Sequence, residues 1–212
     1  MQDSGDRPQR RPALVARKLA RLDIHIAALS EAEQGFLAED GAGYTLLWSG
    51  KNKTELALWC RLMIEPLIAR KLQNLPVAHS DRLMPLRLPI QDKSATLLSV
   101  YAPNMQAEIG MNEFSYRDLH NLLQQVDSKD KLLIFGAFNA RIERHFKSWK
   151  GVLGRHENGN CNDNGRLLLE FCLEHQLVIT NTLFQQRISS RHRGGAHAPT
   201  TDTSRLDYAL TR

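Results

Sequence analysis

The chain has 212 residues, of which 42% are hydrophobic and 24% charged, a composition that suits one globular domain with a sizeable core. It contains no run of about 18 apolar residues, so no membrane span is expected, and the polar start from Met1 to Arg11 predicts no secretory signal. The net charge of +5 fits a nucleic-acid partner, but it fits a solvated surface with a slight excess of Lys and Arg equally well.

The three cysteines of the chain are Cys60, Cys161 and Cys172. Their number is odd, their spacing is wide and no CxxC pair is present, which disfavours a zinc site. The simplest interpretation is a reducing compartment, the cytosol or the nucleus. Cys172 lies in an apolar stretch and is predicted to be a core residue.

Two segments have the composition of irregular chain. Residues 1–12 are rich in Arg, Asp and Pro and are predicted to form a disordered N-terminal tail, which leaves residues 13–212 as one domain. The segment Ser189–Ser204 is rich in Ser, Thr, Gly, His and Arg, and it predicts a long loop.

The first predicted element is an amphipathic helix over Ala13–Leu22, because Val15, Leu19 and Leu22 share one helical face. A strand over Asp23–Ser30 follows, where apolar side chains recur at every second position. Three further strands are predicted at Tyr44–Trp48, Leu83–Leu88 and Thr96–Tyr101.

The second half of the chain predicts two helices and three strands. Apolar residues spaced between Phe114 and Val126 indicate a helix that ends near Asp127, and Asn164 is a candidate N-cap for a helix running to His175. The strands are predicted at Lys131–Phe135, Leu177–Thr180 and Arg205–Leu210. Only one clean strand–helix–strand unit is expected in the chain, which favours sheets packed on each other over a doubly wound parallel sheet.

Polar side chains at the ends of predicted strands are the candidates for chemistry, because a sheet holds its edge loops in place. Glu31, Tyr101, Asn139 and Arg141 close or follow such strands, and Asp207 lies inside a short apolar strand. A carboxylate inside an apolar strand needs a metal, an Arg or backbone amides as its partner, since an unpaired buried charge is costly. Each residue also has an ordinary interpretation: Glu31 as a surface acid, Asn139 as a turn residue and Tyr101 as a half-buried aromatic.

Several short motifs occur in an order that resembles one family. They are I-A-A-L-S-E at Ile26–Glu31, G-A-G-Y at Gly41–Tyr44, Trp48–Lys51, Ser80–Met84, Y-A-P at Tyr101–Pro103, L-I-F-G-A-F-N-A-R at Leu133–Arg141, Gly151–His156, Asn162–Gly165, T-N-T at Thr180–Thr182 and L-D-Y at Leu206–Tyr208. The series is similar to the endonuclease/exonuclease/phosphatase superfamily, and in particular to endonuclease domains of RTE-type LINE retrotransposons, whose signature is G-D-F-N-A-R.

The resemblance implies an α/β fold, a four-layer α/β/β/α sandwich that lacks its first and last strands, with the active site at one edge of the two sheets. It implies Mg²⁺-assisted hydrolysis of a phosphodiester, in which the metal polarises the phosphate and stabilises the leaving oxygen. The roles that the resemblance implies are metal binding for Glu31, contact with the phosphate or leaving group for Tyr101, orientation of the phosphate for Asn139, substrate binding for Arg141 and orientation of a catalytic His for Asp207.

The sequence departs from the family pattern at positions that catalysis needs. Ala137 stands where the family has the Asp that positions or deprotonates the attacking water, and such base catalysis contributes about 10²–10⁴-fold in rate. The family's opening strand with its Asn and its final Ser-Asp-His motif have no match in the sequence. These departures predict a degenerate, retrotransposon-derived member in which hydrolysis is impaired or lost. Two alternatives stay open: an active Mg²⁺-dependent DNA endonuclease, and a non-catalytic scaffold that binds nucleic acid or protein.

Overall fold

The structure, a computed structural model, describes residues 10–29, 43–48, 60–72, 79–80, 82–103, 111–142, 147–156, 160–184 and 207–212. Glu31 and the predicted loop Ser189–Ser204 lie outside these residues. The elements in chain order are α1 (Arg10–Arg21), β1 (Ile26–Leu29), β2 (Thr45–Trp48), β3 (Arg61–Ile64), α2 (Pro66–Ala69), β4 (Leu83–Ile90), β5 (Lys93–Tyr101), α3 (Met111–Gln124), β6 (Lys131–Ala137), α4 (Asp163–Glu174), β7 (Val178–Ile179), the 3₁₀-helix η1 (Thr180–Leu183) and β8 (Asp207–Thr211).

The strands form two sheets. The first sheet has the order β1-β3-β2 with antiparallel pairs, and the second has the order β4-β5-β6-β8-β7. In the second sheet β5 and β6 are parallel and are connected through α3, whereas the other pairs are antiparallel. The prediction of a mixed α/β fold with two sheets is therefore confirmed.

The two sheets pack on each other through a buried apolar cluster. Leu62 and Ile64 of β3 share this cluster with Met84 and Leu86 of β4 and with Leu97 of β5. Because side chains alternate across a strand, the opposite face of each sheet needs a separate cover. Helices provide that cover on both sides.

The outer face of the first sheet is covered by α1, whose Ala16 and Leu19 pack in one cluster with Leu46 and Met63. The outer face of the second sheet is covered by α3 and α4. The larger cluster on that side includes Leu98, Leu119, Ile134, Phe138, Leu168 and Phe171. Cys172 of α4 is buried in the same cluster, as the sequence predicts.

Several boundaries differ from the prediction for physical reasons. The first helix begins at Arg10, so residues 10–12 of the predicted tail are helical, and residues 1–9 lie outside the description. β1 begins at Ile26 rather than at Asp23, because Asp23 has a positive φ of 54° in the turn after the helix. β3 was not predicted, because its apolar run of three residues is too short to distinguish a strand from a helix.

The predicted N-cap of α4 is wrong by two residues. The N-cap is Asn162, whose side chain accepts a hydrogen bond from the backbone N of Gly165 at 2.8 Å. Asn164 is instead buried, and its Nδ2 donates to the carbonyl oxygen of Pro103 at 3.2 Å. Both positions are Asn, so the preference of the residue type for caps does not separate them.

Among the described residues, no helix has the length and hydrophobicity needed to cross a membrane.

Candidate active site

Three strands of the second sheet bring Tyr101, Ala137 and Asp207 into one row. Tyr101 is the register partner of Ala137 across the parallel pair β5–β6, and Ala137 is the partner of Asp207 across the antiparallel pair β6–β8. Register partners point to the same face of a sheet. Tyr101 and Ala137 belong to the buried cluster between the sheets, so this row faces the first sheet.

A pocket of about 260 Å³ lies at this row, between the two sheets. One wall is formed by the end of β1, with Ile26, Ala28 and Leu29, and the opposite wall contains the row itself together with Asn181. Glu31 follows Leu29 by two residues along the chain and lies outside the described residues. Its role as a metal ligand stays a prediction.

The methyl group of Ala137 occupies the centre of the row and is 5% exposed. A methyl group has neither charge nor a hydrogen-bond acceptor, so it cannot hold or deprotonate a water molecule. Among the described residues that line the pocket, Asp207 carries the one carboxylate. No second acidic side chain of the described residues lines the pocket beside Ala137.

The prediction that Asp207 is buried inside an apolar strand is wrong. Asp207 lies on β8 with an exposed side chain, so the cost of burying an unpaired charge does not arise there. Asn181 of η1 lies beside it and donates from Nδ2 to the carbonyl oxygen of Asp207 at 3.4 Å. The Oδ1 atom of Asn181 accepts from the backbone N of Ala209 at 2.7 Å, so this side chain continues the hydrogen bonding of β8 beyond β7.

Tyr101 is 4% exposed, which makes it more buried than the half-buried aromatic that its ordinary interpretation predicts. The guanidinium carbon of Arg82 lies 5.7 Å from the centroid of the Tyr101 ring, within the range of a cation–π contact. The backbone N of Tyr101 donates to the carbonyl oxygen of Arg82 at 2.9 Å. The Nη1 atom of Arg82 is buried and has no hydrogen-bond partner among the described residues. Arg82 therefore supplies a partly buried positive charge next to the aromatic wall of the site.

Cys60 also lines the pocket, and no pattern in the sequence indicates this position. Its Sγ donates to the carbonyl oxygen of Arg82 at 2.8 Å. Burial raises the pKa of the Cys60 thiol to about 12, although a hydrogen bond with Ser99 and the charge of Arg82 act in the opposite direction. The group is therefore a protonated thiol at neutral pH, which is neither a nucleophile nor a ready metal ligand.

Asn139 follows β6 and has a φ of 49°, in the left-handed region that Asn tolerates better than most residues. Its Nδ2 donates to the carbonyl oxygen of Ala102 at 2.8 Å, and its own carbonyl oxygen accepts from Asn162 and Asn164 at 3.2 Å each. The side chain ties the loop after β6 to the loop after β5 and does not line the pocket. Its role in orienting a phosphate stays a prediction.

Arg141 lies further along the same loop and is exposed outside the pocket lining. Its backbone N donates to Oδ1 of Asn162 at 2.8 Å, and its carbonyl oxygen accepts from the backbone N of Asn162 at 3.1 Å. A Cβ atom at Gly165 would lie 1.8 Å from that carbonyl oxygen, so only glycine fits there. The first turn of α4 therefore fixes the backbone that carries Arg141, whose role in substrate binding stays a prediction.

Known proteins resemble this chain in sequence and in fold. No family model matches the sequence. Craniofacial development protein 2 of Bos taurus is 30% identical over 177 residues, which cover 82% of this chain and 29% of the relative. The protein of the same name from Tragulus javanicus is 29% identical over 177 residues, with 82% of this chain and 30% of the relative covered. The chain thus spans less than a third of the length of these relatives.

Three solved structures share the fold. The endonuclease domain of TRAS1, a telomere-specific non-LTR retrotransposon, has a TM-score of 0.56 at 15% identity, covering 95% of this chain and 80% of that chain. An endonuclease/exonuclease/phosphatase family protein from Leptotrichia buccalis has a TM-score of 0.59 at 11% identity, covering 99% of this chain and 83% of that chain. TDP2 of D. rerio, complexed with a single-strand DNA product, has a TM-score of 0.60 at 11% identity, covering 99% of this chain and 79% of that chain.

At these identities the structural similarity defines the fold and not the activity. By its fold, the chain is similar to an endonuclease/exonuclease/phosphatase family protein and to a retrotransposon endonuclease domain. By its sequence, it is a relative of craniofacial development protein 2 over most of its length.

Proposed function

We propose that the chain is a degenerate, retrotransposon-derived member of the Mg²⁺-dependent phosphodiesterases, which keeps a pocket for a nucleic-acid phosphodiester but hydrolyses it weakly or not at all. One observation carries this proposal. Ala137 lies at the centre of the row formed with Tyr101 and Asp207, and Asp207 is the one carboxylate among the described residues of the lining.

Hydrolysis of a phosphodiester needs a group that orients the attacking water and accepts its proton. Loss of such a general base lowers the rate by about 10²–10⁴-fold. Asp207 lies one strand away from Ala137 and is exposed to solvent. Because catalytic groups act as a unit, the remaining groups do not restore the rate by themselves.

The residues at the pocket fit a magnesium ion. The carboxylate of Asp207 and the amide oxygen of Asn181 are hard oxygen donors, and Mg²⁺ is usually held by one or two carboxylates together with water. Glu31, two residues beyond the end of β1, would provide the second carboxylate. When bound, the ion polarises the phosphate. Tyr101, on the same wall as Asp207 and Asn181, would contact the phosphate.

A nucleic-acid partner is supported by charge and by one structural neighbour. The net charge of +5 favours a polyanion, because each neutralised phosphate releases counterions. D. rerio TDP2, which shares the fold, is complexed with a single-strand DNA product. We propose that the exposed Arg141 contacts the backbone of the bound strand beside the pocket.

Hydrolysis is tested by nicking of supercoiled plasmid with and without Mg²⁺, using Glu31→Ala as the control. We expect nicking by the wild-type chain to stay within a few-fold of this control. Rapid Mg²⁺-stimulated nicking that Glu31→Ala abolishes would refute the loss of hydrolysis and establish the active endonuclease instead.

Binding is tested separately by fluorescence anisotropy of a labelled DNA oligonucleotide at increasing salt. We expect affinity to fall as salt rises, and Arg141→Ala to weaken binding and to reduce the salt slope by about 1. Arg21→Ala, on the exposed end of α1, is the matched control and should leave binding unchanged. Absence of binding at low salt would exclude the nucleic-acid partner.

A further inference from the structure

A cluster of metal-ligating side chains lies on the helical layer, away from the candidate active site. His120 lies on α3, Glu174 is the last residue of α4 and His175 is the C-cap of that helix. These helices cover the face of the second sheet that is turned away from the pocket. The three residues, which we call the His–Glu–His cluster, therefore form a feature separate from the row at Ala137.

The ligand atoms of the cluster are close to the spacing that a tetrahedral ion requires. Nδ1 of His120 lies 3.1 Å from Nε2 of His175 and 3.5 Å from Oε1 of Glu174. All three ligand atoms lie within 4.8 Å of one another. Metal–ligand bonds of about 2.0–2.1 Å in a tetrahedral site place the ligand atoms about 3.3–3.4 Å apart. Small shifts of exposed side chains would complete the geometry.

The two imidazoles are held in position by neighbouring side chains. The ring of His175 packs against Phe171 in a tilted arrangement, with centroids 4.4 Å apart, and the side-chain amide nitrogen of Gln124 lies 2.8 Å from Nε2 of His120. If Nδ1 of His120 binds a metal, its Nε2 carries the proton, and a flip of the Gln124 amide lets Nε2–H donate to the amide oxygen, the arrangement that orients metal-bound histidines. Only one proton can lie between the two facing nitrogen atoms, so the other nitrogen offers a lone pair.

The surroundings carry charges of both signs. The C-terminal end of a helix favours a cation, and Glu174 and His175 lie at the end of α4. Burial lowers the pKa of His175, with further lowering by His120 and Arg212, while Glu174 raises it. The positive charge of Arg212 opposes a bound cation, whereas the carboxylate of Glu174 offsets it.

We propose that His120, Glu174 and His175 bind a divalent transition metal, of which Zn²⁺ is the best match, and that the ion links α3 to the end of α4. Two imidazoles and one carboxylate are ligands that Zn²⁺ favours, and they leave a fourth position for water. Glu174, with a side chain 63% exposed, leaves the site open to solvent. The proposed site does not depend on catalysis at the pocket.

The test is a titration of the metal-free chain with Zn²⁺, followed by calorimetry, and with Co²⁺, followed by visible absorption. The variants are His120→Gln and Glu174→Gln. The matched control is His25→Gln, because His25 pairs with Glu65 on another surface without a second imidazole among the described residues. We expect the two cluster variants to lose one equivalent of Zn²⁺ and the tetrahedral Co²⁺ spectrum, and the control to keep both.

Thermal unfolding gives a second readout. When free Zn²⁺ is about 100 times its Kd, the melting midpoint of the wild-type chain and of His25→Gln should rise by about 5–10 °C, and that of the cluster variants should not. Asp207→Asn separates this site from the pocket and should leave the Zn²⁺ effect intact. Equal Zn²⁺ binding in the wild-type chain and both cluster variants, or loss of binding on Asp207→Asn alone, would overturn the proposal. If His120→Gln does not fold, the exposed Glu174→Gln still decides the outcome.

Discussion

Asp207 pairs with Ala137 across β6 and β8, so an exposed carboxylate and a buried methyl group are neighbours on one face of the sheet. The pocket adjoins both residues. The pocket therefore keeps its walls around position 137, where the family resemblance predicts an acid, and one substitution can place a carboxylate there.

Ala137→Asp tests whether the acid missing at position 137 limits hydrolysis. If it does, Mg²⁺-dependent nicking should rise even though the family's final Ser-Asp-His motif has no match in the sequence. The new carboxylate would face the pocket of about 260 Å³, which has room for it. We expect nicking to rise by about tenfold or more, towards the 10²–10⁴-fold of general-base catalysis. The plasmid assay measures the rate at saturating Mg²⁺.

The control for this substitution is Ala137→Asn, which has nearly the same size but cannot accept a proton. Equal nicking rates for the Asp and Asn variants would contradict the role assigned to the missing acid. Two carboxylates side by side repel each other, so the Asp variant should also melt at a lower temperature without Mg²⁺ than with it.

Gly136 is the second residue of this region that one substitution can test. A Cβ at this position would lie 1.9 Å from the carbonyl oxygen of Val100, its register partner on β5. Gly136→Ala must push β5 and β6 apart beside the row, and we expect a loss of about 1–3 kcal/mol or more in the free energy of unfolding. Urea denaturation measures it.

The matched control for Gly136→Ala is Gly151→Asn. Gly151 has a φ of 88°, and no atom lies within 4 Å of the position that a Cβ would take there. A side chain therefore meets no clash and only the positive φ destabilises the variant, which Asn tolerates better than most residues. We expect a loss of about 1 kcal/mol or less. If both variants are equally stable, the close approach of β5 and β6 does not limit the packing of the sheet.

Much of the fold follows from local patterns in the sequence. Amphipathic spacing located α1, α3 and α4, and apolar runs located most strands within a few residues. β3 is not predicted because its apolar run, Leu62 to Ile64, has only three residues, and so short a run does not distinguish a buried strand from a helix. The strand pairing of β8 beside β6 depends on contacts far apart in sequence, which no local pattern encodes.

The candidate site was predictable only in part. The order of the motifs predicts Tyr101, Ala137 and Asp207 as site positions, and the strand register places the three in one row. Cys60 is not predicted as a lining residue because it is an ordinary residue type in its local sequence, and only packing brings it to the pocket. Asn181 belongs to the T-N-T motif, but the motif alone gives it no place in the pocket. The burial expected for Asp207 was wrong because successive side chains of a strand point to opposite faces, so Asp207 is exposed although its neighbour Tyr208 is buried.

The cysteines should differ sharply in reactivity. Cys161 is exposed, whereas Cys60 and Cys172 are buried. Burial raises the pKa of Cys60 to about 12 and also raises the pKa of Cys172, so neither forms the reactive thiolate at pH 8. Iodoacetamide labelling followed by mass spectrometry should modify Cys161 rapidly and the other two at least about 100-fold more slowly until denaturant is added.

Cys161→Ser provides the control for the labelling experiment, because it should remove the rapid phase and leave the slow phases unchanged. Rapid modification of Cys60 in the native chain would contradict the packing between the two sheets. It would also show that the pocket admits the reagent to the thiol.

The pairing of Arg87 with Asp130 predicts how stability depends on pH. Nε and Nη2 of Arg87 donate to the two carboxylate oxygens of Asp130 at 2.7 and 2.9 Å, and the hydroxyl of Thr96 donates at 2.9 Å. These hydrogen bonds hold the pKa of Asp130 below its usual range, and those from Arg87 have the largest effect. A carboxylate with a lowered pKa in the folded state stabilises the fold above its unfolded pKa of about 3.9, and this contribution is lost as pH falls through the folded pKa.

Asp130→Asn should therefore lower the free energy of unfolding at pH 7, and the difference from the wild-type chain should shrink as pH falls below about 5. Urea denaturation at pH 7, 5 and 3.5 measures this difference. Asp92→Asn, at an exposed acid in the turn between β4 and β5, is the matched control and should change stability by less than about 0.5 kcal/mol at pH 7. The free energies of unfolding of Asp130→Asn and of the wild-type chain could instead differ by the same amount from pH 7 to 3.5. The charge of Asp130 would then not stabilise the contact between β4 and the turn before β6, and the residue would act there through its shape alone.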